Sequence, residues 1–315
     1  MRVAILDDYQ HAALASADWA TLGADEVTPF HGHIADTPDL AAQLRRFDVV
    51  VAMRERTPFD SERLRLLPSL KLLVTTGMAN ASIDLAAARA AGVTVCGTRG
   101  SGSAAAELTW ALILSLVRHV PAEDARIRAG GWQHTMGLGL RGRTLGVVGL
   151  GHLGRQVATV ALAFGMEVVA WSQQLTAAAA DRAGVTSVTK DELFGSSDVV
   201  TVHYKFSARS ASLVGAREIG LMKPTAYLVN TSRGPIVDTD ALLAALRTGA
   251  IAGAALDVYD EEPLPGGHPL RNAPRTVLTP HIGYVTDDGY RAFYGEAVED
   301  IGAFAAGRPI RVLTS

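Results

Sequence analysis

Three short runs carry residues fit for chemistry, and their order along the chain is as informative as their types. Gly149–Gly154 reads GLGHLG, Asn230–Gly234 reads NTSRG and Thr279–Gly283 reads TPHIG. The glycine run follows the apolar stretch Thr144-Leu145-Gly146-Val147-Val148 and leads into a helical pattern. In that setting Gly149 makes a tight turn, Gly151 lets backbone approach a pyrophosphate, and Gly154 lets the helix pack close to the strand. The helix start adds unpaired N–H groups and a dipole that favours phosphate charge. Arg233 follows Tyr227-Leu228-Val229, at a strand's C-terminal end, where open α/β sheets bind ligands. Its planar guanidinium can take a carboxylate and a neighbouring carbonyl oxygen together. His281 comes behind Pro280 after a later strand, and imidazole is the group best suited to exchanging a proton near neutral pH. Glu262, in the acidic run Asp257-Val258-Tyr259-Asp260-Glu261-Glu262-Pro263, stands between them in sequence. A carboxylate beside an imidazole orients the ring and favours its charged form. Taken singly, each of these residues is more often structural. Together, a dinucleotide site followed by a guanidinium, a carboxylate and an imidazole at successive strand ends has the parts to oxidise or reduce a 2-hydroxy acid.

Those strand ends need a frame. Val3–Leu6, Val49–Ala52, Leu72–Thr75 and Val93–Cys96 are apolar runs bounded by turn residues, with helical spacing over Pro38–Phe47, Ser61–Leu67 and Asp84–Ala91. Ser101-Gly102-Ser103 opens a long apolar helix, expected to run to about His119 and to stop at Pro121. A second series follows: Leu145–Gly149, a helix from Gly151 to Phe164, then Glu167–Trp171, Val199–His203, Tyr227–Asn230, Ala254–Asp257 and Thr276–Leu278. Asp287–Ala306 returns to helical spacing and Pro309–Leu313 is β-like. The alternation predicts an α/β protein of two doubly wound parallel-sheet domains joined by long helices.

Composition narrows the partners. The 315 residues exceed the usual single core, so two domains are expected. Hydrophobic residues at 48% and charged residues at 19% suit a folded α/β chain. A formal charge of -3 without a dense Lys/Arg block gives no reason to expect nucleic acid or an anionic membrane. The longest apolar segment, Ala104 to Val120, is interrupted by Glu107, Arg118 and His119 and is too short to span a bilayer. The first residues enter a strand pattern without a signal-peptide pattern, and the single cysteine, Cys96, fits a reducing cytoplasm and a buried strand position.

The acid that usually grips the adenine ribose about twenty residues beyond such a glycine turn is missing. The second strand ends Trp171-Ser172-Gln173-Gln174, with neither a carboxylate to repel a 2′-phosphate nor an adjacent arginine to clamp one. The choice between NAD and NADP stays open at this point.

The chain resembles the D-isomer-specific 2-hydroxyacid dehydrogenase family over nearly its whole length. The matching residues are Gly77-Met78-Ala79-Asn80 with Ile83-Asp84, Ala106-Glu107-Leu108, GLGHLG, Leu221-Met222-Lys223-Pro224, NTSRG, Asp257-Val258 with Glu262-Pro263, and TPHIG. The resemblance implies a Rossmann cofactor domain, residues 101–287, and a flavodoxin-like substrate domain made of residues 1–100 and 288–315, with the last helix folding back onto it. It implies Arg233 on the substrate carboxylate and C2 oxygen, His281 as the proton-exchanging group, and Glu262 paired with it. Backbone amides around Gly77 and Met78 would complete the carboxylate site. His152 and Leu153 would lie over the pyrophosphate, Thr231, Ser232 and Arg233 along the cofactor, and Asp257 near the nicotinamide carboxamide. NAD(P)(H), a small 2-oxo or 2-hydroxy acid, a homodimer and no metal complete the expectation.

Departures from the family pattern are informative. Ser172 replaces the ribose-binding acid. His203-Tyr204-Lys205-Phe206-Ser207 stands where an apolar residue and proline commonly follow the histidine, so Tyr204 and Lys205 are expected at the adenosine end, with a modest lean to NADP. Tyr284 is bulkier than the small residue often found after TPHIG. A formate dehydrogenase fits less well, since that group carries glutamine where Glu262 stands. A dinucleotide-sensing corepressor on the same fold would need a partner-binding extension, and a bare nucleotide-binding scaffold would leave the Arg–Glu–His convergence to chance. Glyoxylate, hydroxypyruvate, pyruvate, bulkier 2-oxo acids and phosphoglycerate all remain open as substrates.

Overall fold

Short β-branched runs separated by helical stretches can be buried on both faces when the strands lie parallel and the crossovers cover the sheet. The computed structural model describes residues 1–100 and 102–314, so Ser101, named above at the start of the long helix, lies outside the described residues. Cα packing divides the chain into two units, Met1–Ser101 with Val285–Ser315, and Gly102–Tyr284.

In the first unit β1 (Arg2–Ile5), β2 (Glu26–Pro29), β3 (Val49–Ala52), β4 (Leu72–Thr75) and β5 (Thr94–Gly97) form a parallel sheet in the order β2-β1-β3-β4-β5. β3 and β4 are buried throughout. The helices Thr37–Leu44, Ser61–Arg65 and Leu85–Ala90 each start behind an aspartate. Asp36, Asp60 and Asp84 accept the backbone N–H three residues on, satisfying amides that a helix start leaves over. β2 was not evident in the sequence. Glu26, Thr28 and Pro29 break any apolar run, which an edge strand tolerates because only one of its sides is paired.

The C-terminal helix Asp287–Ala305 belongs to this unit, capped by Thr286. It buries Tyr294 with its ring 6.0 Å from that of Trp19. Beyond it Val312 bridges antiparallel to Cys96, and Arg311 pairs with Asp300 at 3.0 Å. Burial pushes the Cys96 thiol up to about 12, so it is a packing residue and not a nucleophile.

In the second unit β6 (Thr144–Val148), β7 (Glu167–Trp171), β8 (Thr186–Ser187), β9 (Val199–Val202), β10 (Tyr227–Asn230), β11 (Gly253–Leu256) and β12 (Thr276–Leu278) pair in parallel, in the order β12-β11-β10-β9-β6-β7-β8. The chain lays β7 and β8 on one side of β6 and returns to place β9 on the other. That reversal is the switch point at which such sheets take ligands. The helix Ala104–Val117 buries Trp110, Ile113 and Val117 in the core of this unit. Pro121 does not end it, contrary to expectation. The helix stops at Val117, His119 turns into the left-handed region (φ 54°), and Pro121 sits in the first turn of a new helix, Val120–Arg128. A proline is tolerated there because that N–H has no partner in any case. Among the described residues, no helix is long and apolar enough to cross a membrane.

His203, just past β9, lies with Nε2 2.9 Å from Thr201 Oγ1, and burial pushes its imidazole down to about 4 from the ordinary 6.5. The folded chain therefore holds it neutral, while the unfolded chain binds a proton below pH 6.5. Its contribution is complete above pH 6.5 and is lost as pH falls toward 4. In His203→Gln, thermal unfolding followed between pH 7 and pH 5 should show a smaller drop in Tm on acidification than in the wild type. An equal drop would mean that His203 takes up no proton on unfolding.

Candidate active site

The turn after β6 separates the duties of its glycines. Gly149 has φ +98°, and a Cβ there would lie 2.6 Å from the His203 carbonyl oxygen. A Cβ on Gly154 would overlap the Gly149 carbonyl oxygen. Both are required by the close packing of β6, its neighbour β9 and the following helix, His152–Ala163. A Cβ on Gly151 would meet nothing within 4 Å. The protein's own packing does not demand that glycine, but a pyrophosphate brought against the helix start does. His152 is exposed and Leu153 half-buried on the first turn. These residues fit a dinucleotide phosphate.

Ser172, directly after β7, accepts a hydrogen bond from the Leu150 amide at 3.1 Å, which leaves its hydroxyl proton to donate elsewhere. It lines an open groove with Leu175, Ser187 and Lys190. Tyr204 stacks on Trp171 (centroids 6.0 Å, planes 16° apart), and its carbonyl accepts from Ser232 Oγ at 2.5 Å. Lys205 is exposed on the same loop and is not part of the lining of the Ser172 groove.

At the end of β10 the amide of Asn230 organises the NTSRG loop. Its Oδ1 accepts from the Ser232 N–H at 3.0 Å and its Nδ2 donates to the Arg233 carbonyl at 2.9 Å. Thr231 is buried, its hydroxyl 2.8 Å from that of Thr109 on the long helix. Arg233 is half-buried, with Nη1 donating to the Ser232 carbonyl at 2.7 Å. Gly234 is fixed by sterics, since a Cβ there would run into the backbone of Tyr259.

At the ends of β11 and β12 a carboxylate and an imidazole are held separately and then joined. Asp257, 1% exposed, accepts from Thr279 Oγ1 (2.6 Å) and the Ile282 N–H (2.8 Å) on Oδ1, and from the Gly283 N–H (2.9 Å) on Oδ2. It therefore clamps both sides of the turn that carries His281, whose φ of 53° is sustained by that turn. Burial pushes the Asp257 carboxyl above its usual range, against the pull of the three donors. The family resemblance placed Asp257 on the cofactor, and positioning the TPHIG turn is a duty that resemblance did not suggest. Glu262 Oε1 accepts from the Tyr259 N–H at 2.9 Å, and its Oε2 is hydrogen-bonded to His281 Nδ1. With Nδ1 engaged by Glu262, proton exchange through this ring would use Nε2. The Tyr284 ring stands edge-on to the imidazole at 5.7 Å.

Gly77 and Met78 lie in the first unit, after β4. Gly77 has φ +136°, and the Arg54 guanidinium occupies the space beside it that a Cβ would need. Arg54 ties this loop down through N–H to Thr76 Oγ1 (2.9 Å) and Nη1 to the Thr76 carbonyl (3.1 Å), and Asn80 Nδ2 donates to the Arg54 carbonyl at 2.6 Å. Neither Arg54 nor Lys190 was singled out from the sequence. The rule that drew attention to Arg233, a cation just past a buried strand, applies equally to Arg54 after Val49–Ala52.

The two kinds of glycine can be told apart in solution. Gly154→Ala should destabilise the fold by about 1–3 kcal/mol through overpacking. Gly151→Ala should keep the wild-type Tm and weaken dinucleotide binding by roughly tenfold, because the methyl group holds phosphate off the helix start. Thermal unfolding and cofactor titration on both variants check this, and a Gly151→Ala protein that binds normally would remove the phosphate from that turn.

Comparison with known proteins converges on one family. Residues 110–283 match the family model described as D-isomer specific 2-hydroxyacid dehydrogenase, NAD binding domain. Glyoxylate reductase of Aeropyrum pernix is 39% identical over 259 residues, covering 79% of this chain and 77% of that protein. D-3-phosphoglycerate dehydrogenase of Synechocystis is 35% identical over 83% of this chain, which spans about half (48%) of that longer protein. Among solved structures, phosphoglycerate oxidoreductase from Vibrio cholerae superposes with a TM-score of 0.93 at 35% identity, over 98% of this chain and 99% of that one. The glycine turn, the Asn230-held arginine loop and the His281–Glu262 pair are thus carried by a chain that belongs to the D-isomer specific 2-hydroxyacid dehydrogenase family.

Proposed function

We propose that this chain is a nicotinamide-dependent oxidoreductase that interconverts a small 2-oxo acid and its D-2-hydroxy acid. The observation that carries this reading is the His281–Glu262 pair, set on a turn clamped by Asp257 at the sheet edge that also bears Arg233 and the glycine turn. When bound, the nicotinamide supplies or accepts the hydride. Arg233 binds the substrate carboxylate and polarises the C2 carbonyl. His281 gives its Nε2 proton to the C2 oxygen during reduction and recovers it during oxidation, while Glu262 keeps the ring oriented through Nδ1. Gly149, Gly151, His152, Leu153 and Gly154 hold the pyrophosphate, and Thr231 and Ser232 line the cofactor path. A corepressor role finds no support in the comparisons, which return dehydrogenases and reductases.

The finer proposals rest on single features. Ser172, in place of a ribose-binding acid, supports acceptance of both cofactors with NADPH modestly favoured. Lys205 is the cation that the sequence nominates for that preference. A reducing cytoplasmic setting fits the lone buried Cys96. A homodimer is supported by apolar residues exposed on and after the helix Val120–Arg128, with Trp132 at 72% and Met136 at 93%. An exposed apolar patch of this kind suits a two-fold interface.

Four outcomes follow. A panel of 2-oxo acids assayed with NADH and NADPH should reveal reductase activity with both cofactors, and Ser172→Asp should move the preference toward NADH. His281→Ala should lose turnover by roughly a thousandfold with cofactor binding intact, whereas Arg233→Ala should lose substrate binding. Near-normal turnover in either variant removes the mechanism. Glu262→Gln keeps a hydrogen-bonding group at Nδ1 but removes the carboxylate, so turnover should fall by roughly tenfold or more with cofactor binding intact. Wild-type turnover in this variant counts against Glu262. Trp132→Glu should give a monomer in sedimentation analysis, and an unaltered oligomer would move the interface elsewhere.

A further inference from the structure

The groove beside Ser172 holds a cation that sequence spacing does not bring near it. Lys190 follows β8, on the far side of β7 from the glycine turn, and lines the groove with Ser172 and Ser187. We infer that Lys190, and not Lys205, is the residue that reads a phosphate on the adenosine ribose of the cofactor, with Glu218 holding its ammonium in reserve. This rests on the cofactor reading above and names its specificity determinant.

The local chemistry supports an exchange of partners. Lys190 Nζ is 2.9 Å from Glu218 Oε1 and lies over the Trp171 ring at the end of β7, 5.8 Å from its centre. Glu218 does not depend on Lys190 alone. Its Oε2 accepts from the Gly215 N–H at 3.0 Å, and Arg217 Nη1 lies 3.8 Å from Oε1. The ammonium can therefore turn into the groove without leaving that carboxylate stripped of donors. Ser172 contributes a hydroxyl proton, because its oxygen already accepts from the Leu150 amide of the glycine turn. Glu192 also lines the groove and opposes an incoming phosphate; both Thr189 N–H and Thr189 Oγ1 donate to its Oε2 at 2.8 Å, which ties it to its own helix start and holds it charged. One flexible ammonium, one hydroxyl and one tied-back carboxylate give a modest preference, since no guanidinium fork grips the phosphate.

Binding to the full chain without substrate tests this, using fluorescence titration with NADH and NADPH and competition by adenosine 2′,5′-bisphosphate against AMP. Lys190→Met keeps an unbranched side chain without the charge and should weaken NADPH and the bisphosphate by roughly tenfold while NADH and AMP change less than about twofold. Lys190→Arg should preserve the preference, and Glu218→Gln should tighten NADPH several-fold by releasing the ammonium. Lys205→Ala should leave the NADPH-to-NADH ratio unchanged. The inference is overturned if Lys190→Met weakens both cofactors equally, if Lys205→Ala is the variant that separates them, or if the wild type does not bind NADPH. A protein in which Lys190→Met separates the cofactors but no 2-oxo acid is reduced would sink the proposed reaction and leave this inference standing.

Discussion

Parallel pairing is the constraint from which the rest of the second unit follows. Parallel strands cannot be joined by tight hairpins, so every strand hands its chain to a crossover at the same sheet edge. The turn at Gly149, Ser172 after β7, Tyr204 after β9, the Asn230–Arg233 loop after β10, the Asp257–Glu262 loop after β11 and the His281 turn after β12 all leave from that edge. Residues more than a hundred positions apart are gathered without any one loop having to be long. The order β12-β11-β10-β9-β6-β7-β8 also sets their sequence in space, with the phosphate turn at the switch point and the imidazole toward one end.

Buried polar side chains then convert loops into fixed positions. Asn230 and Asp257 are each about 1% exposed, and each spends its side chain on backbone groups of a loop that carries chemistry. Leaving those backbone groups unpaired would cost more than the hydrogen bonds gain, so the loops have little freedom to rearrange. His281 can hold a positive φ because both sides of its turn are tied to one carboxylate. The rigidity of the His281–Glu262 pair is thus a property of Asp257 as much as of Glu262.

The Ser172 groove shows the opposite design. Its groups are a lysine paired with Glu218, hydroxyls and the Glu192 carboxylate held by Thr189, and none is buried and multiply bonded as Asp257 is. Groups held this loosely rank ligands by small differences, whereas the Arg233 loop and the His281 turn are fixed by buried hydrogen bonds.

The sequence by itself determined the buried strands and the glycine turn, and it nominated Arg233, Glu262 and His281, because those signals are local. Buried parallel strands must be apolar runs, a phosphate turn must be glycine at fixed spacing, and a cation or imidazole just past such a run must sit at the ligand edge. Local signal fails where burial is partial or the partner is remote. The edge strand Glu26–Pro29 and the two-residue strand Thr186–Ser187 carry no apolar run, and Pro121 could stop one helix or start another until its neighbours decided. Only the tertiary structure placed Asp257 on the His281 turn, Arg54 against Gly77, and Lys190 instead of Lys205 in the groove beside Ser172. Each of those contacts joins residues from different strand ends, and side-chain reach across a sheet edge depends on strand order, which no spacing along the chain encodes.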